Sequence, residues 1–197
     1  MADPVSRRAV VTGLATLAAW PVVADAAPLT RAAQLVAAAR RQVGVTLVYD
    51  PAYTRLGFPG GDVSRAKGVC TDVVIRAYRD AFALDLQALV NADMRAAFAS
   101  YPKRWGLRTT DRNIDHRRVP NLQAFLARAG ASLPLNEWRA GDIFTGLVNG
   151  SLPHIGIISD RRGLRGLPLV IHNIGGGARE EAALFDHRLT GLFRWRV

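Results

Sequence analysis

The hydrophobic period of this sequence changes at about Gly130 from the spacing typical of helices to that of strands. Before that point, apolar residues recur every three or four positions, which predicts helices. The helical runs are 29–43, 70–82, 85–100 and 121–129. After that point, short apolar runs are separated by glycine-containing turns, which predicts strands. The strand runs are 142–148, 152–159, 169–174 and 189–197. Helices followed by strands predict an α+β fold, with the N-terminal helices packed on a C-terminal antiparallel β-sheet.

The first 26 residues have the features of an export signal. Arg7 and Arg8 precede a short apolar segment, and Ala24-Asp25-Ala26 has the pattern of a cleavage site. The apolar segment is shorter than the roughly 20 residues that span a bilayer. Paired arginines are typical of a twin-arginine signal, and a general secretory route stays open. We therefore expect residues 1–26 to be removed and residues 27–197 to form a single periplasmic or otherwise exported domain, with no stable membrane span.

The strong positive charge indicates an anionic partner. The chain carries a net charge of +10, and removal of residues 1–26 leaves 24 basic and 14 acidic residues. Such a balance suits nucleic acid, an acidic membrane surface or the carboxylate-rich wall polymer of bacteria. Export argues against nucleic acid. The length of 197 residues is that of one domain, which we expect to be a monomer.

Cys70 is the only cysteine of the chain, and it stands where a glycine-bearing loop meets an apolar helical run. A cysteine in the first turn of a helix lies at the positive end of the helix dipole, which favours the thiolate. One cysteine cannot form an internal disulfide in an oxidising compartment. Cys70 is therefore either a buried small apolar residue or a nucleophile.

Two histidines fall in predicted strands that are neighbours in sequence. His154 is a candidate base, and His172 is either a third member that orients it or a hydrogen-bonded core residue. Gly156 shares the face of His154, so we expect it to let the helix of Cys70 come close. The loop 49–62 is rich in glycine, proline and aromatic residues and too long for a plain connector, so we expect it to line the site.

The polar run 110–120 is either a solvated loop or a cationic ledge for a substrate carboxylate. Arg117 or Arg118 would hold the carboxylate in a two-point manner, with Asp115 and His116 fixing the arginines. Asp72 is expected to turn away from the Cys70 sulfur or to accept hydrogen bonds from loop N–H groups.

The motifs around these residues resemble those of a known family. Gly-Val-Cys-Thr-Asp at 68–72, Ala-Gly-Asp-Ile-Phe at 140–144, His-Ile-Gly-Ile-Ile at 154–158 and Ile-His at 171–172 resemble the NlpC/P60 cysteine peptidases of the papain-like superfamily. More closely, the segments 68–78, 113–122 and 171–175 are similar to the DUF1287 family. That similarity covers nearly everything after residue 30.

The resemblance implies a papain-like fold and an amidase or endopeptidase that cleaves amide bonds in peptidoglycan stem peptides. Cys70 would be the nucleophile, His154 the base and His172 the orienting residue, with no cofactor and no metal. Val69, Thr71 and Asp72 depart from the larger family around the cysteine, and Phe58 stands near where that family often has a tyrosine. An acyltransferase on the same fold, a zinc enzyme using Cys70, His154 and His172, and a non-catalytic wall-binding module stay open.

Overall fold

The computed structural model describes residues 28–197, so the export signal predicted for residues 1–26 lies outside the described residues. Four α-helices are described: α1 Arg31–Arg40, α2 Cys70–Phe82, α3 Leu86–Ala96 and α4 Val119–Arg128. The strands are β1 Val48–Tyr49, β2 Lys67–Gly68, β3 Ile143–Val148, β4 Leu152–Arg162, β5 Pro168–Asn173, β6 Ala178–Glu181 and β7 Arg188–Phe193. None of the described helices has the length and apolar character needed to cross a membrane.

The sheet is five-stranded and antiparallel, with the strand order β6-β5-β4-β3-β7. β1 and β2 form a separate parallel pair of two residues each. The predicted α+β arrangement of N-terminal helices on a C-terminal antiparallel sheet is therefore confirmed.

The two faces of the sheet bury different clusters, because successive residues of a strand point to opposite faces. Ile155 and Ile157 of β4 belong to the main core, which also contains Cys70 and the buried residues of α1, α2 and α4. Ile158 of β4 belongs to a smaller cluster with Phe144 and Val170. The helices thus cover one face of the sheet, and the smaller cluster marks the other.

Local sequence explains where the helices begin and end. The Thr30 hydroxyl accepts a hydrogen bond from Ala33 N–H, as an N-cap of α1 does. The Asp85 carboxylate caps α3 in the same way. α4 begins at Val119 rather than at residue 121, because Pro120 occupies a first-turn position where its missing N–H costs nothing.

A buried arginine fixes the segment that leads to Cys70. Arg76 of α2 is fully buried, and its guanidinium donates to both carboxylate oxygens of Asp62. It also donates to the backbone carbonyls of Val63, Ser64 and Lys67. The loop before Cys70 is thereby tied to the helix that Cys70 begins.

Strand β6 was not predicted from the sequence. Its residues Ala178-Arg179-Glu180-Glu181 are mostly charged, and they follow a glycine run that is typical of a turn. The strand pairs with β5 at the sheet edge, where one side of a strand needs no apolar cover.

Candidate active site

Cys70 is the first residue of α2, and local hydrogen bonds hold it there. The Asp72 carboxylate accepts a hydrogen bond of 2.7 Å from Val69 N–H, as expected for a loop N–H group. The Asn173 side chain of β5 donates to the Gly68 carbonyl at 3.1 Å. These contacts fix the helix start to the end of β5.

The environment of Cys70 favours the neutral thiol. Burial is the main reason that the pKa of the thiol is raised to about 11; the charge of Asp72 adds to the rise, and the nearby Ile155 N–H opposes it. Only 4% of the residue is exposed. The expectation that the helix start would favour the thiolate is therefore wrong for the resting protein. A helix dipole contributes roughly 0.3 to 1 kcal/mol at exposed sites, and the loss of water around the sulfur outweighs it here.

The two strand histidines are joined to each other and to a carboxylate. Nε2 of His154 lies 2.8 Å from Nδ1 of His172. Nε2 of His172 lies 2.9 Å from Oε1 of Glu181, which is on β6. The three side chains form one hydrogen-bonded chain, which we call the histidine relay.

The relay determines which nitrogen of His154 carries the proton. A carboxylate only accepts, so Glu181 requires a proton on Nε2 of His172. Neutral His172 then accepts at Nδ1, and His154 must donate from Nε2. The lone pair of His154 is left on Nδ1, the nitrogen that can take up a proton.

Both relay histidines are neutral near pH 7. Burial, together with the neighbouring His172 and His187, lowers the pKa of His154 to about 3. Burial also lowers the pKa of His172, while the hydrogen bond to Glu181 opposes that shift. The site therefore combines a neutral thiol with a neutral imidazole.

Gly156 leaves room for Phe144 and His172 on its own face of the sheet rather than for the helix of Cys70. A Cβ at this position would lie 2.7 Å from a ring carbon of Phe144 and 2.9 Å from the Cβ of His172. Phe144 is the direct cross-strand neighbour of Gly156 on β3, and His172 of β5 lies on the same face of the sheet. The expected close approach of the Cys70 helix at Gly156 is thus wrong, because that helix packs on the other face of β4.

The backbone of β4 at Ile155, the residue after His154, lies beside Cys70. The pairing of β4 with β5 includes Ile157 and Ile158 but not Ile155, so that edge of β4 is open beside the helix start. The Ile155 N–H lies there close enough to the Cys70 sulfur to oppose the rise of the thiol pKa. Within residues 28–197, no hydrogen bond joins the sulfur to the His154 ring itself.

Arg117 does not present its guanidinium as a ledge. Nε and Nη2 donate to the two carboxylate oxygens of Asp72 at 2.9 Å each, and both side chains are almost fully buried. The remaining guanidinium contacts reach the carbonyls of Asp50 and Ala52. Arg117 therefore braces the Cys70 helix start against the loop 49–62.

Asp115 and His116 are also buried rather than exposed on a ledge. Burial raises the pKa of the Asp115 carboxyl and lowers the pKa of His116 to about 4. Asp115 lies 3.5 Å from Nη1 of Arg118, in line with the expectation that it fixes this arginine. His116 makes no such contact with an arginine among the described residues.

Arg117 and Arg118 of the predicted set both line the Cys70 pocket. A cavity of about 190 Å³ is lined by Cys70, Arg118, Trp105, Tyr49 and Pro153, among others. The Arg118 guanidinium lies over the Trp105 ring, 4.3 Å from its centroid. Tyr49 and Pro51 come from the loop 49–62, which lines the site as expected.

Three residues of the site were missed by sequence reasoning. Glu181 lies on the unpredicted strand β6, nine residues after His172, and no local sequence pattern places it beside that histidine. Tyr49 shares the pocket with Cys70, and burial raises its pKa to about 12, so that it remains a hydrogen-bond donor. The segment Phe185-Asp186-His187-Arg188 predicts a surface position for His187, but this residue is half-buried, with its ring centroid 6.4 Å from that of His154.

Residues 28–197 contain no group of three His, Cys, Asp or Glu side chains arranged to hold a metal ion. Cys70 and the relay histidines are thus not arranged as a ligand set in the described part of the chain.

Comparison with known proteins places the chain in a family. Over 163 residues the chain is 50% identical to "Uncharacterized protein YijF" of Escherichia coli (strain K12). The aligned segment covers 81% of this chain and 79% of that protein. The family model "Domain of unknown function (DUF1287)" matches residues 36–195, a span that contains Cys70, the histidine relay and the polar run 110–120. The chain belongs to the DUF1287 family.

Proposed function

We propose that this protein is an exported cysteine hydrolase with a papain-like fold that cleaves amide bonds in peptidoglycan peptides. The observation that carries the proposal is the relay from Glu181 through His172 to His154, beside the Cys70 helix start. A catalytic triad of this type needs three parts. They are a cysteine at a helix start, a histidine with a free lone pair and a polar group that orients the histidine. The net charge of +10 suits a substrate rich in carboxylates.

The reaction begins with a neutral Cys70 thiol and a neutral His154 imidazole. Nδ1 of His154 takes the thiol proton as the Cys70 sulfur attacks the amide carbonyl, and the relay to Glu181 stabilises the imidazolium that forms. The tetrahedral intermediate is held by N–H groups at the start of α2, with the Tyr49 hydroxyl as a further donor in the pocket. His154 then protonates the leaving amine, and the carbon–nitrogen bond breaks to leave a thioester on Cys70.

Water completes the cycle. His154 removes a proton from water, which attacks the thioester, and the carboxylic acid product leaves with the thiol restored. This step requires Nδ1 of His154 and the Cys70 sulfur to come within hydrogen-bond distance in the substrate complex, a contact that the described residues of the free protein do not make; catalytic hydrogen bonds often form only in that complex.

Digestion of purified peptidoglycan in ¹⁸O-labelled water tests this function. The account requires soluble peptides in which each new carboxyl group carries one ¹⁸O and each cut exposes one new amine, as mass spectrometry would show. Products joined to an added amine instead of ¹⁸O would indicate an acyltransferase on the same residues. Intact wall after prolonged incubation, with the wall still bound to the protein, would indicate a binding module.

A further inference from the structure

A second cavity with a strongly positive wall adjoins the Cys70 pocket. Its volume is about 820 Å³, and Trp105 and Arg118 line both cavities. Arg95 of α3 and Arg108 and Arg112 of the following loop also line it. We call these five residues, with the space between them, the arginine cavity.

Three of the four arginines of the arginine cavity have no carboxylate partner among residues 28–197, and the fourth, Arg118, lies 3.5 Å from the Asp115 carboxylate. Among residues 28–197, no carboxylate lies within salt-bridge distance of Arg95, Arg108 or Arg112. The one acidic residue in the lining is Asp111, whose carboxylate accepts hydrogen bonds from Tyr53 and Asn113. Four arginines therefore face a cavity that contains a single, already hydrogen-bonded carboxylate.

The wall between the two cavities is built in an unusual backbone conformation. Trp105 has φ 61°, in the left-handed region that bulky residues rarely adopt, and Gly106 follows with φ 66°. Trp105 remains 54% exposed and lies under the Arg118 guanidinium. Strain of this kind persists where the surrounding structure holds it, and it is often found at ligand sites.

We propose that the arginine cavity binds a free carboxylate of the substrate peptide while the reacting amide lies at Cys70. The inference rests on the proposed function and specifies its substrate as an acidic peptide, with a carboxylate on one side of the cleaved bond. Guanidinium groups hold carboxylates through paired charge-assisted hydrogen bonds. Trp105 and Arg118 separate the two subsites, so the carboxylate and the amide are recognised together in one molecule.

Binding to the Cys70→Ala protein tests the inference without any turnover. The probes are the peptide L-alanyl-γ-D-glutamyl-L-lysine with free carboxylates and the same peptide with its carboxylates converted to amides. Calorimetry should show that amidation weakens binding about tenfold or more, since charge-assisted bonds are lost. Arg108→Ala and Arg112→Ala, each in the Cys70→Ala protein, should weaken binding of the free acid by a similar factor and leave that of the amide unchanged.

Arg165→Ala is the matched control, because it removes the same charge from an exposed turn between β4 and β5. It should leave both affinities unchanged. Equal binding of acid and amide, no binding of either, or equal losses for Arg108→Ala and Arg165→Ala would each overturn the inference. If the wild type cleaves wall peptides but these arginines have no effect, the subsite is wrong and the function stands. If the arginines govern binding but no amide is cleaved, the subsite stands and the function is wrong.

Discussion

Nε2 of His154 donates to Nδ1 of His172 across 2.8 Å, and this one contact assigns the proton-accepting lone pair of His154 to Nδ1. The assignment depends on Glu181, which accepts from the far side of His172. The acid on the edge strand therefore controls the state of a base two side chains away.

Replacing Glu181 with glutamine tests that dependence. The amide can donate as well as accept, so His172 is no longer held as its Nε2–H form and His154 loses its fixed tautomer. We expect about a tenfold loss of turnover with little change in the free energy of unfolding. In ¹⁵N spectra of the imidazoles, wild-type His154 should be protonated at Nε2 and the variant should show a mixture. An unchanged tautomer in Glu181→Gln would contradict the relay.

The raised pKa of Cys70 predicts slow alkylation at neutral pH. A thiol with a pKa of about 11 has a thiolate fraction that rises about tenfold per pH unit below that value. The rate with iodoacetamide should therefore climb steadily from pH 6 to pH 10 in the folded protein. The same protein in urea, with its thiol in water, serves as the control and should react faster at pH 7. A rate that is flat between pH 5 and pH 8 would indicate a preformed thiolate and imidazolium instead.

Arg117 and Arg118 should differ in what they contribute. Arg117→Met leaves the buried Asp72 carboxylate without its partner, which costs about 3 to 5 kcal/mol of the free energy of unfolding. Arg118→Met is the matched control, and it should cost less than about 1 kcal/mol, because Arg118 is partly exposed and 3.5 Å from Asp115. Urea unfolding measures both values. Similar values for the two variants would argue against the bracing role of Arg117.

His116 should make the fold sensitive to acid. Its pKa is about 4 in the folded protein, against about 6.5 when exposed. Between these values the unfolded chain binds a proton that the folded protein does not, so stability falls as the pH drops from 6.5 towards 4. The expected contribution is roughly 2 to 3 kcal/mol between pH 7 and pH 4.5. Unfolding of the wild type and His116→Gln at both pH values should show a smaller loss in the variant. An equal loss in both proteins would assign the acid sensitivity to other groups.

The sequence predicted the elements whose hydrophobic period is clear. The helix that begins at Cys70 ends at Phe82 as predicted, and its residues 70–78 are buried. The edge strand β6 was missed because Glu180 and Glu181 need no apolar cover at a sheet edge. With that strand the acid of the relay was missed as well.

The protonation of Cys70 and the separate roles of Arg117 and Arg118 could not be predicted from local sequence patterns. Cys70 stands at a helix start, which favours a thiolate, yet its burial depends on residues that are distant in sequence. Arg117 and Arg118 are neighbours in sequence, and only the fold separates their roles, since the extended backbone at Arg118 directs one side chain to Asp72 and the other to Trp105.

Turnover by the wild type and by Cys70→Ala on the same purified peptidoglycan tests the central claim most directly. The amines released per hour are counted, and a thermal melt confirms that both proteins are folded. The account predicts that the wild type releases amines and that Cys70→Ala releases none above background, because the thioester cannot form without the sulfur. Release by folded Cys70→Ala at more than about a tenth of the wild-type rate, a loss smaller than removal of a nucleophile produces, would contradict it.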